Sequence, residues 1–277
     1  MSDLTWVNGV WEKAGGARLS VTDLGIQRGY GIFDFFRVVE GEPVFLEDHL
    51  QRFFRSAATM RLPINVTAES LEQLVGEIID RNQLQEGGIK LLLTGGNSPD
   101  GYSIGNPNFV ISAVPLLFNR APGPPLRLMS LEHARQLPGV KTIDYLMAIW
   151  MQPRLQEAGV QDILYHKDGK VAECPRANFF IVSDNGEVYT PKTGVLAGIT
   201  RKKLLETDLP GIRAVERDFG LQEAKAAAEA FVTSSTKQVY PVGAIDGEKI
   251  GSGEMGPVTR RLSDYINGMV FASSSSI

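Results

Sequence analysis

Residues 120–125 read Arg-Ala-Pro-Gly-Pro-Pro, and this stretch constrains the fold more than any other part of the sequence. Three prolines and a glycine in six residues are typical of a linker between domains. We therefore expect a small domain over residues 1–118, an interdomain linker over 119–125 and a larger domain over 126–277. The 277-residue chain is long enough for each domain to bury a core of its own.

Strand-like and helix-like patterns occur on both sides of this linker. Apolar residues at helical spacing predict a helix over 49–60, with Asp48 as its cap. A strand is expected just before it, at 44–46. In the second half we expect a helix over 146–158, and Pro153 should kink or split it because proline cannot donate a backbone hydrogen bond.

Composition excludes several classes of protein. The formal net charge is -4, with 28 Lys and Arg against 32 Asp and Glu, so a nucleic-acid partner is not expected. A single cysteine cannot form an internal disulfide, which suits a reducing compartment. The sequence shows neither a signal peptide at its start nor an apolar run long enough for a membrane span. We expect a cytoplasmic protein without a membrane partner.

One lysine stands out by its context. Lys141 lies between an extended apolar approach and the predicted start of a helix. Its neighbours Val140 and Ile143 favour a buried position, where burial and nearby cations lower the pKa of an amine and free its lone pair. We interpret Lys141 as a reactive amine, and a surface lysine is the structural alternative.

Glu173 is a candidate partner for a cofactor. It follows a Gly-containing turn and precedes the apolar run at 179–182. A buried carboxylate at this position is costly unless a cation compensates for it. A salt bridge at a strand end is the structural interpretation, whereas the functional one is a carboxylate that keeps a pyridinium nitrogen protonated.

Arg52 is a candidate phosphate ligand on the first predicted helix. It lies three residues after His49, so the two side chains share a helix face. A guanidinium group presents a planar fork of donors that suits a phosphate. The alternative is that the arginine lies on a solvated helix face, and this is our interpretation of Arg55.

A second phosphate-binding pattern occurs in the larger domain. Gly198 allows close approach of the backbone to an anion, and the amides of Ile199 and Thr200 open a helix. Ser235 and Thr236 add hydroxyl donors at the end of a predicted strand. Ordinary helix caps and turns are the alternative interpretation of both stretches.

Taken together, in this order and spacing, these residues resemble the class IV pyridoxal-phosphate (PLP) transaminases, also called fold type IV. That family includes D-amino acid transaminase, branched-chain aminotransferase and aminodeoxychorismate lyase. The resemblance covers nearly the whole chain, as far as Val242. It implies a two-domain α/β (α+β) fold, with a small α/β domain and a larger domain whose sheet forms a pseudo-barrel. It further implies a homodimer with the active site between the two domains.

The resemblance also assigns roles to matching residues. Lys141 matches the Schiff-base lysine and Glu173 matches the glutamate that faces the pyridine nitrogen, so both are the expected catalytic residues. Leu196 matches the residue that packs on the cofactor ring, and Tyr145 is expected to line the site or bond the cofactor phenolate. The expected cofactor-binding residues are Arg52, Lys141, Tyr145, Glu173, Leu196, Gly198, Ile199, Thr200, Ser235 and Thr236. No metal ligand is assigned.

Substrate choice in this family depends on the groups that hold the substrate carboxylate. In well-known D-amino acid transaminases, an arginine and a histidine from the loop after the fourth strand hold it. The matching positions in the loop at 94–102 are Asp100 and Tyr102. Because Asp100 would repel a carboxylate, the usual pair is missing from this chain.

Arg28 and Arg176 are the expected substitutes, since two arginines can bind a carboxylate. The surrounding motifs resemble a subgroup of D-amino acid transaminases with this non-standard arginine pair. As a structural alternative, Arg28 pairs with Asp34 or Asp100 and Arg176 with a surface acid. The full set of expected substrate-binding residues is Arg28, Arg176, Phe33, Tyr30 and Arg37.

The predicted activity is transfer of an amino group between D-amino acids, of the D-alanine or D-glutamate type, and 2-oxo acids, with PLP as cofactor. Two alternatives stay inside the family. Branched-chain L-amino acid transamination fits an apolar pocket of Phe33, Phe35 and Leu146, and aminodeoxychorismate lyase activity uses the same fold. An alternative from another class is a binding protein that keeps the fold without the cofactor.

Overall fold

The computed structural model describes residues 3–271 of the chain. Within them the chain folds into two compact units. The first contains residues 3–118 together with Val140–Asp144, and the second contains Asn119–Gly139 and residues 145–271. The domain boundaries expected from the sequence stay a prediction. The structure groups the segment that carries Lys141 with the first unit, however, whereas the sequence assigned it to the larger domain.

The first unit is an antiparallel sheet with helices. Its elements in chain order are β1 (Leu4–Val7), β2 (Val10–Lys13), α1 (Leu24–Arg28), β3 (Gly31–Val39), β4 (Glu42–Pro43), α2 (Leu46–Thr59), α3 (Ala68–Asn82), β5 (Glu86–Thr94) and β6 (Phe109–Pro115). The strands lie in the order β2-β1-β6-β5-β3-β4. Each pair is antiparallel.

Strand β3 positions the residues of interest in this unit. Successive side chains of a strand point to opposite faces, so Ile32, Asp34 and Phe36 share one face. All three are fully buried, and Ile32 and Phe36 belong to the apolar core. The carboxylate of Asp34 therefore lies between two apolar side chains, and its charge must be compensated by buried partners.

The Lys141 segment joins β3 through the backbone. Phe33 N donates to the Lys141 carbonyl at 3.0 Å, and Ile143 N donates to the Gly31 carbonyl at 3.1 Å. Gly31 is required for this close packing, since a Cβ there would lie 2.8 Å from the Leu93 carbonyl oxygen and 3.0 Å from Ile143 Cδ1. Two backbone bonds thus fix the position of Lys141 on the first unit.

The start of α2 differs from the prediction. The helix begins at Leu46, and its cap is Phe45 at φ 54°, without a side-chain cap hydrogen bond. The expected strand at 44–46 and the Asp48 cap are therefore wrong. The strand before the helix is the two-residue β4, where Pro43 has no N–H to extend the pairing. Asp48 lies in the first turn, where its charge favours the helix dipole.

The second unit is a larger mixed sheet. Its elements are β7 (Leu126–Glu132), α4 (Leu146–Trp150), α5 (Gln152–Ala158), β8 (Asp162–Lys167), β9 (Lys170–Val171), β10 (Glu173–Cys174), β11 (Ala177–Val182), β12 (Val188–Thr190), α6 (Ile199–Leu205), β13 (Ala214–Glu216), α7 (Leu221–Lys225), β14 (Glu229–Ser234), β15 (Gln238–Ile245), β16 (Glu248–Lys249) and α8 (Pro257–Phe271). The main strand order is β13-β12-β11-β14-β15-β7-β8-β9, with β10 paired to β11 and β16 to β15.

Strand β11 is the centre of this unit for the candidate site. All six of its residues, Ala177–Val182, are buried. Phe180 stacks on Phe231 of β14, with ring centroids 4.8 Å apart. This rigid, apolar strand fixes the position of the polar residue Asn178 near its start.

The predicted helix over 146–158 is split, as Pro153 led us to expect. Helix α4 ends at Trp150 and α5 begins at Gln152, with Pro153 in the first turn of α5. Proline is well tolerated in the first turn because its missing N–H has no partner there. Within residues 3–271, each helix is too short or too polar to cross a membrane.

Candidate functional site

Arg52 in the first unit is held by a buried carboxylate. Its Nε donates to Asp34 Oδ2 at 2.8 Å, and its Nη2 donates to Asp34 Oδ1 at 2.7 Å. His49 Nδ1 and the Phe35 backbone N–H also bond Asp34 Oδ1, each at 2.8 Å. Because Asp34 and Arg52 are both buried, this two-point contact fixes the plane of the guanidinium group.

The pKa values of this cluster reflect its burial and charges. Burial alone would raise the pKa of Asp34, but the charges and hydrogen bonds of Arg52 and His49 outweigh it and hold this pKa well below its usual range. Burial lowers the pKa of His49 against the opposing effect of Asp34, and Arg52 and Lys141 lower it further. Asp34 is therefore a carboxylate at neutral pH, whereas His49 favours its neutral form.

Lys141 lies close to the same cluster within the first unit. Its side chain is half-buried, and Nζ lies 4.4 Å from the centroid of the Phe33 ring. Its charge is also felt by His49. The structure thus brings the predicted reactive amine, the predicted phosphate ligand Arg52 and the predicted substrate residue Phe33 into one region of this unit.

Two further predicted substrate residues, Tyr30 directly before β3 and Arg37 on β3, make contacts within the protein. Tyr30 donates its hydroxyl to the Met60 carbonyl at 2.5 Å. Arg37 is buried, with its guanidinium 3.8 Å from the centroid of the Phe118 ring. Burial lowers the pKa of Arg37 to about 10, although the charge of Glu86 opposes this shift. Both roles stay predictions.

Arg28 is exposed at the end of α1 and contacts the loop after β5. Its Nε donates to the Gly101 carbonyl at 3.2 Å. Asp34 is paired with Arg52 and His49 instead. Asp100 accepts hydrogen bonds from its own loop, from Ser98, Ser103 and the backbone of Tyr102. The structural alternative in which Arg28 pairs with Asp34 or Asp100 is therefore not the arrangement in this structure.

The Asp100 carboxylate is held in its charged form by its own loop. Hydrogen bonds from the Ser103 backbone and hydroxyl, and from the Tyr102 backbone, hold the pKa of Asp100 well below its usual range. The carboxylate is thus charged, and its donors come from the loop itself. Tyr102 is 88% exposed, so it extends into solvent in this chain.

Glu173 in the second unit is buried at the start of β10 and accepts from several donors. Asn178 Nδ2 and the Leu196 backbone N–H each donate to Oε2 at 3.0 Å. Arg135 Nε lies 3.2 Å from Oε1. The structural interpretation, a salt bridge at a strand end, is thus present. These donors stabilise the charged form, which is also the form that a pyridinium would need.

The predicted phosphate turn lies next to this carboxylate. Gly198 caps the short helix α6, whose first residues Ile199 and Thr200 are buried. Asn178 Nδ2 donates to the Leu196 carbonyl at 2.8 Å, so Asn178 contacts both Glu173 and the turn. The structure therefore brings Glu173, Leu196 and Gly198 together within the second unit.

The second predicted phosphate loop follows β14. Ser234 Oγ lies 3.2 Å from Thr236 Oγ1 and accepts from Lys237 N at 3.1 Å. Ser235 is half-buried and Thr236 is exposed. Just before them, Thr233 Oγ1 is buried without a hydrogen-bond partner in the part of the chain that the structure describes.

Tyr145 and Arg176 are the remaining predicted site residues. Tyr145 caps α4 and is half-buried. Arg176 is exposed in the two-residue turn between β10 and β11. Their roles stay predictions.

Sequence reasoning missed Asp34, Arg135 and Asn178 as parts of the site. Asp34 lies 18 residues before Arg52, and Arg135 lies 38 residues before Glu173, so local spacing gives no sign of either ion pair. Asn178 offered a weak signal, since it is a polar residue directly before the apolar run at 179–182 of β11.

The chain is similar to known proteins over most of its length. Residues 31–245 match the family model of amino-transferase class IV. The chain is 29% identical to a D-alanine aminotransferase of Staphylococcus haemolyticus, over 98% of this chain and 99% of that protein. It is 30% identical to a putative branched-chain-amino-acid aminotransferase of Methanocaldococcus jannaschii, over 94% and 93% of the two chains.

A solved structure is similar over the same extent. The T.th. branched-chain amino acid aminotransferase with pyridoxamine 5'-phosphate is 25% identical, covers 99% of this chain and 96% of that one, and has a TM-score of 0.90. The sequence-based prediction of a two-domain fold type IV architecture is confirmed.

Proposed function

Because this chain belongs to the class IV aminotransferases, we propose that it moves amino groups between D-amino acids and 2-oxo acids with PLP as cofactor. The D-alanine aminotransferase of Staphylococcus haemolyticus, which matches nearly end to end, supports the D-amino acid class. The preferred donors would be D-alanine or D-glutamate.

The observation that carries the cofactor proposal is the buried carboxylate of Glu173. An amide, a backbone N–H and an arginine together favour its charged form. A charged carboxylate in a dry site would keep a pyridine nitrogen protonated. Bound PLP would then act as an electron sink when the bond between the substrate Cα and its hydrogen breaks.

Other residues of the second unit fit a phosphate. Gly198 caps α6, and the backbone N–H groups of the first residues of that helix, Ile199 and Thr200, would suit an anion. The hydroxyls of Ser235 and Thr236 follow the buried hydroxyl of Thr233, which lacks a partner among residues 3–271. We assign the phosphate to the Gly198–Thr200 turn, to Ser235 and Thr236, and to Arg52.

Lys141 is the proposed covalent anchor of the cofactor and the proposed base. Its amine would take the proton from the substrate Cα and return it to C4′ of the cofactor. The half-buried position above the Phe33 ring limits its exposure to water. The remaining proposed cofactor contacts are Leu196 on the ring and Tyr145 near the phenolate.

Arg28 and Arg176 are the proposed ligands of the substrate carboxylate. The Arg28 side chain is directed by its hydrogen bond to the Gly101 carbonyl. Tyr30, Phe33 and Arg37 are proposed to line the substrate site. A guanidinium suits this task because it can bond both oxygens of a carboxylate.

Branched-chain transamination is a second candidate, favoured by the 30% identity to the Methanocaldococcus jannaschii protein. The apolar residues Phe33 and Phe35 on one face of β3 would suit branched side chains. Measured rates with D- and L-donors decide between the two candidates.

We also propose a cytoplasmic homodimer with amino acids and 2-oxo acids as its small-molecule partners. Helix α4 supports the dimer, because Leu146, Ile149 and Trp150 are each more than 65% exposed. Three large apolar side chains on one short helix are typical of a surface that another subunit covers.

A donor screen tests the proposed function. Purified protein is incubated with PLP, 2-oxoglutarate or pyruvate, and D-alanine, D-glutamate, L-leucine or aminodeoxychorismate in turn. Faster oxo acid formation from the D-donors supports the proposal, whereas L-leucine as the best donor supports the second candidate. Pyruvate release from aminodeoxychorismate indicates the lyase, and a colourless protein that binds no PLP contradicts all three. Lys141→Ala serves as the inactive control.

A further inference from the structure

Asn178 occupies the middle of a polar row in the second unit. Across the strands it pairs with Glu173 of β10 on one side and with Thr233 of β14 on the other. Directly paired residues in a sheet project to the same face. All three are buried, so the sheet places a carboxylate, an amide and a hydroxyl next to one another away from water.

The amide nitrogen of Asn178 joins two separate parts of this unit. Nδ2 donates to Glu173 Oε2 at 3.0 Å and to the Leu196 carbonyl at 2.8 Å. An amide NH2 group has two protons, and these two bonds use both of them. The Leu196 N–H also donates to Glu173 Oε2, at 3.0 Å, which closes a ring of three hydrogen bonds.

The amide oxygen of Asn178 explains the glycine of the turn. Gly198 has φ -68°, a conformation that any residue adopts, so backbone freedom is not the reason for glycine. A Cβ at this position would lie 2.0 Å from Asn178 Oδ1. Gly198 is therefore needed for space, and the space is occupied by Asn178.

We infer that Asn178 is a positioning residue, which through its contacts with Leu196 and Gly198 sets the spacing between Glu173 and the Gly198–Thr200 turn. This inference rests on the proposed function, in which Glu173 faces the ring nitrogen of PLP and the turn receives its phosphate. One buried side chain then determines where both ends of the cofactor are held. Loss of Asn178 disturbs both ends together, even though it touches neither.

Asn178→Ala tests the inference in the PLP-loaded protein. The pH midpoint of the visible absorption band of bound PLP reports on the ring end, and the phosphorus NMR resonance reports on the phosphate end. The rate of PLP release on dilution reports on how tightly the whole site retains the cofactor. We expect both spectroscopic signals to shift and release to accelerate by about tenfold, the effect of leaving buried hydrogen-bonding groups without a partner.

Asn82→Ala is the matched control. Asn82 is equally buried, and its Nδ2 donates to the carbonyls of Leu4 and Ile78 in the first unit. Asn82→Ala therefore loses the same number of donor bonds, and in addition a bond that Asn82 Oδ1 accepts from Leu4 N at 2.8 Å, without any proposed contact to the cofactor residues. The control should lower thermal stability and leave both cofactor signals and the release rate unchanged.

Gly198→Ala provides a second route if Asn178→Ala does not accumulate. The added Cβ must displace the amide of a retained Asn178, so the same two signals should shift in this variant. Unchanged signals in the variants, or a shift at one end alone, would overturn the inference while the proposed function stands. A wild-type protein that binds no PLP would overturn both.

Discussion

Each of the two units buries a carboxylate next to residues of the proposed site, and the two carboxylates are compensated differently. Asp34 is bonded at two points by the guanidinium of Arg52 and by His49. Glu173 accepts from two neutral groups, the Asn178 amide and the Leu196 N–H, and forms an ion pair at 3.2 Å with Arg135, whose side chain is 17% exposed. In the first unit the carboxylate of Asp34 fixes the guanidinium of Arg52, whereas in the second unit the surrounding donors fix the carboxylate of Glu173.

This difference separates a structural carboxylate from a functional one. Removing the charge of Asp34 strands a buried guanidinium, so the main cost falls on folding. Removing the charge of Glu173 leaves two neutral donors and Arg135, which is less buried than Arg52, so the cost to folding should be smaller. The main cost should then fall on the chemistry that the charge of Glu173 supports.

The largest expected effect follows from Asp34→Asn. The variant leaves Arg52 and His49 buried beside a neutral amide, and we expect the free energy of unfolding to fall by about 3–5 kcal/mol. Urea unfolding monitored by tryptophan fluorescence measures it. The double variant Asp34→Asn with Arg52→Gln should lose less than the single variant, because it leaves no stranded charge. A single variant as stable as the wild type would contradict the prediction.

Glu173→Gln should lower kcat by about 100-fold, the usual effect of removing a charge that stabilises a transition state. Its free energy of unfolding should change less than that of Asp34→Asn. Steady-state kinetics with D-alanine measures kcat. The matched control is Glu229→Gln, which removes another buried carboxylate of the second unit, one that accepts from the Val258 and Thr259 backbone. Equal losses of kcat in both variants would refute the distinction.

Arg28 and Arg176 are the arginines proposed to bind the substrate carboxylate. Arg28→Gln and Arg176→Gln should each raise the KM for the amino donor by about tenfold, because each removes a charged hydrogen bond to a carboxylate. PLP release should stay close to the wild-type rate in both. Arg55→Gln, on the same helix as Arg52, is a suitable control for a lost surface charge. An unchanged KM in both variants would remove these arginines from the site.

The smallest expected effect is a pH dependence from His49. Burial lowers its pKa, so below about pH 6.5 the unfolded chain binds a proton that the folded chain does not. Stability is then lost as the pH falls, by at most about 1.4 kcal/mol per pH unit. In the variant His49→Gln, the free energy of unfolding should decrease less steeply between about pH 7 and pH 5, because glutamine binds no proton. Urea unfolding at a series of pH values measures this slope. Parallel slopes in the two proteins would contradict this.

The sequence predicted elements whose cause is local. Pro153 indicated the split between α4 and α5, since a proline acts on its own helix. The start of α2 was predicted wrongly because it depends on Phe45 at φ 54°. A positive φ is uncommon for a bulky residue, so the sequence does not indicate it.

In the candidate site, too, only part of the arrangement could be predicted from the sequence. Lys141, Glu173 and Arg52 could be selected by comparison with a known family, and their roles stay predictions. Their partners could not be selected, because Asp34 and Arg135 reach them from distant parts of the chain. Packing between a strand and a helix, or between a loop and a strand, brings such residues together, and the spacing along one element does not reveal it.

The segment Val140–Asp144 has a consequence for any attempt to divide this protein. Its bonds to Gly31 and Phe33 make it part of the first unit, although the sequence on both sides of it belongs to the second. The chain therefore crosses from one unit to the other three times. A gene cut at the proline-rich linker would yield a first fragment without Lys141 and a second fragment in which that lysine has lost its strand. Exchange of modules between relatives would have to transplant this five-residue insert together with the first unit.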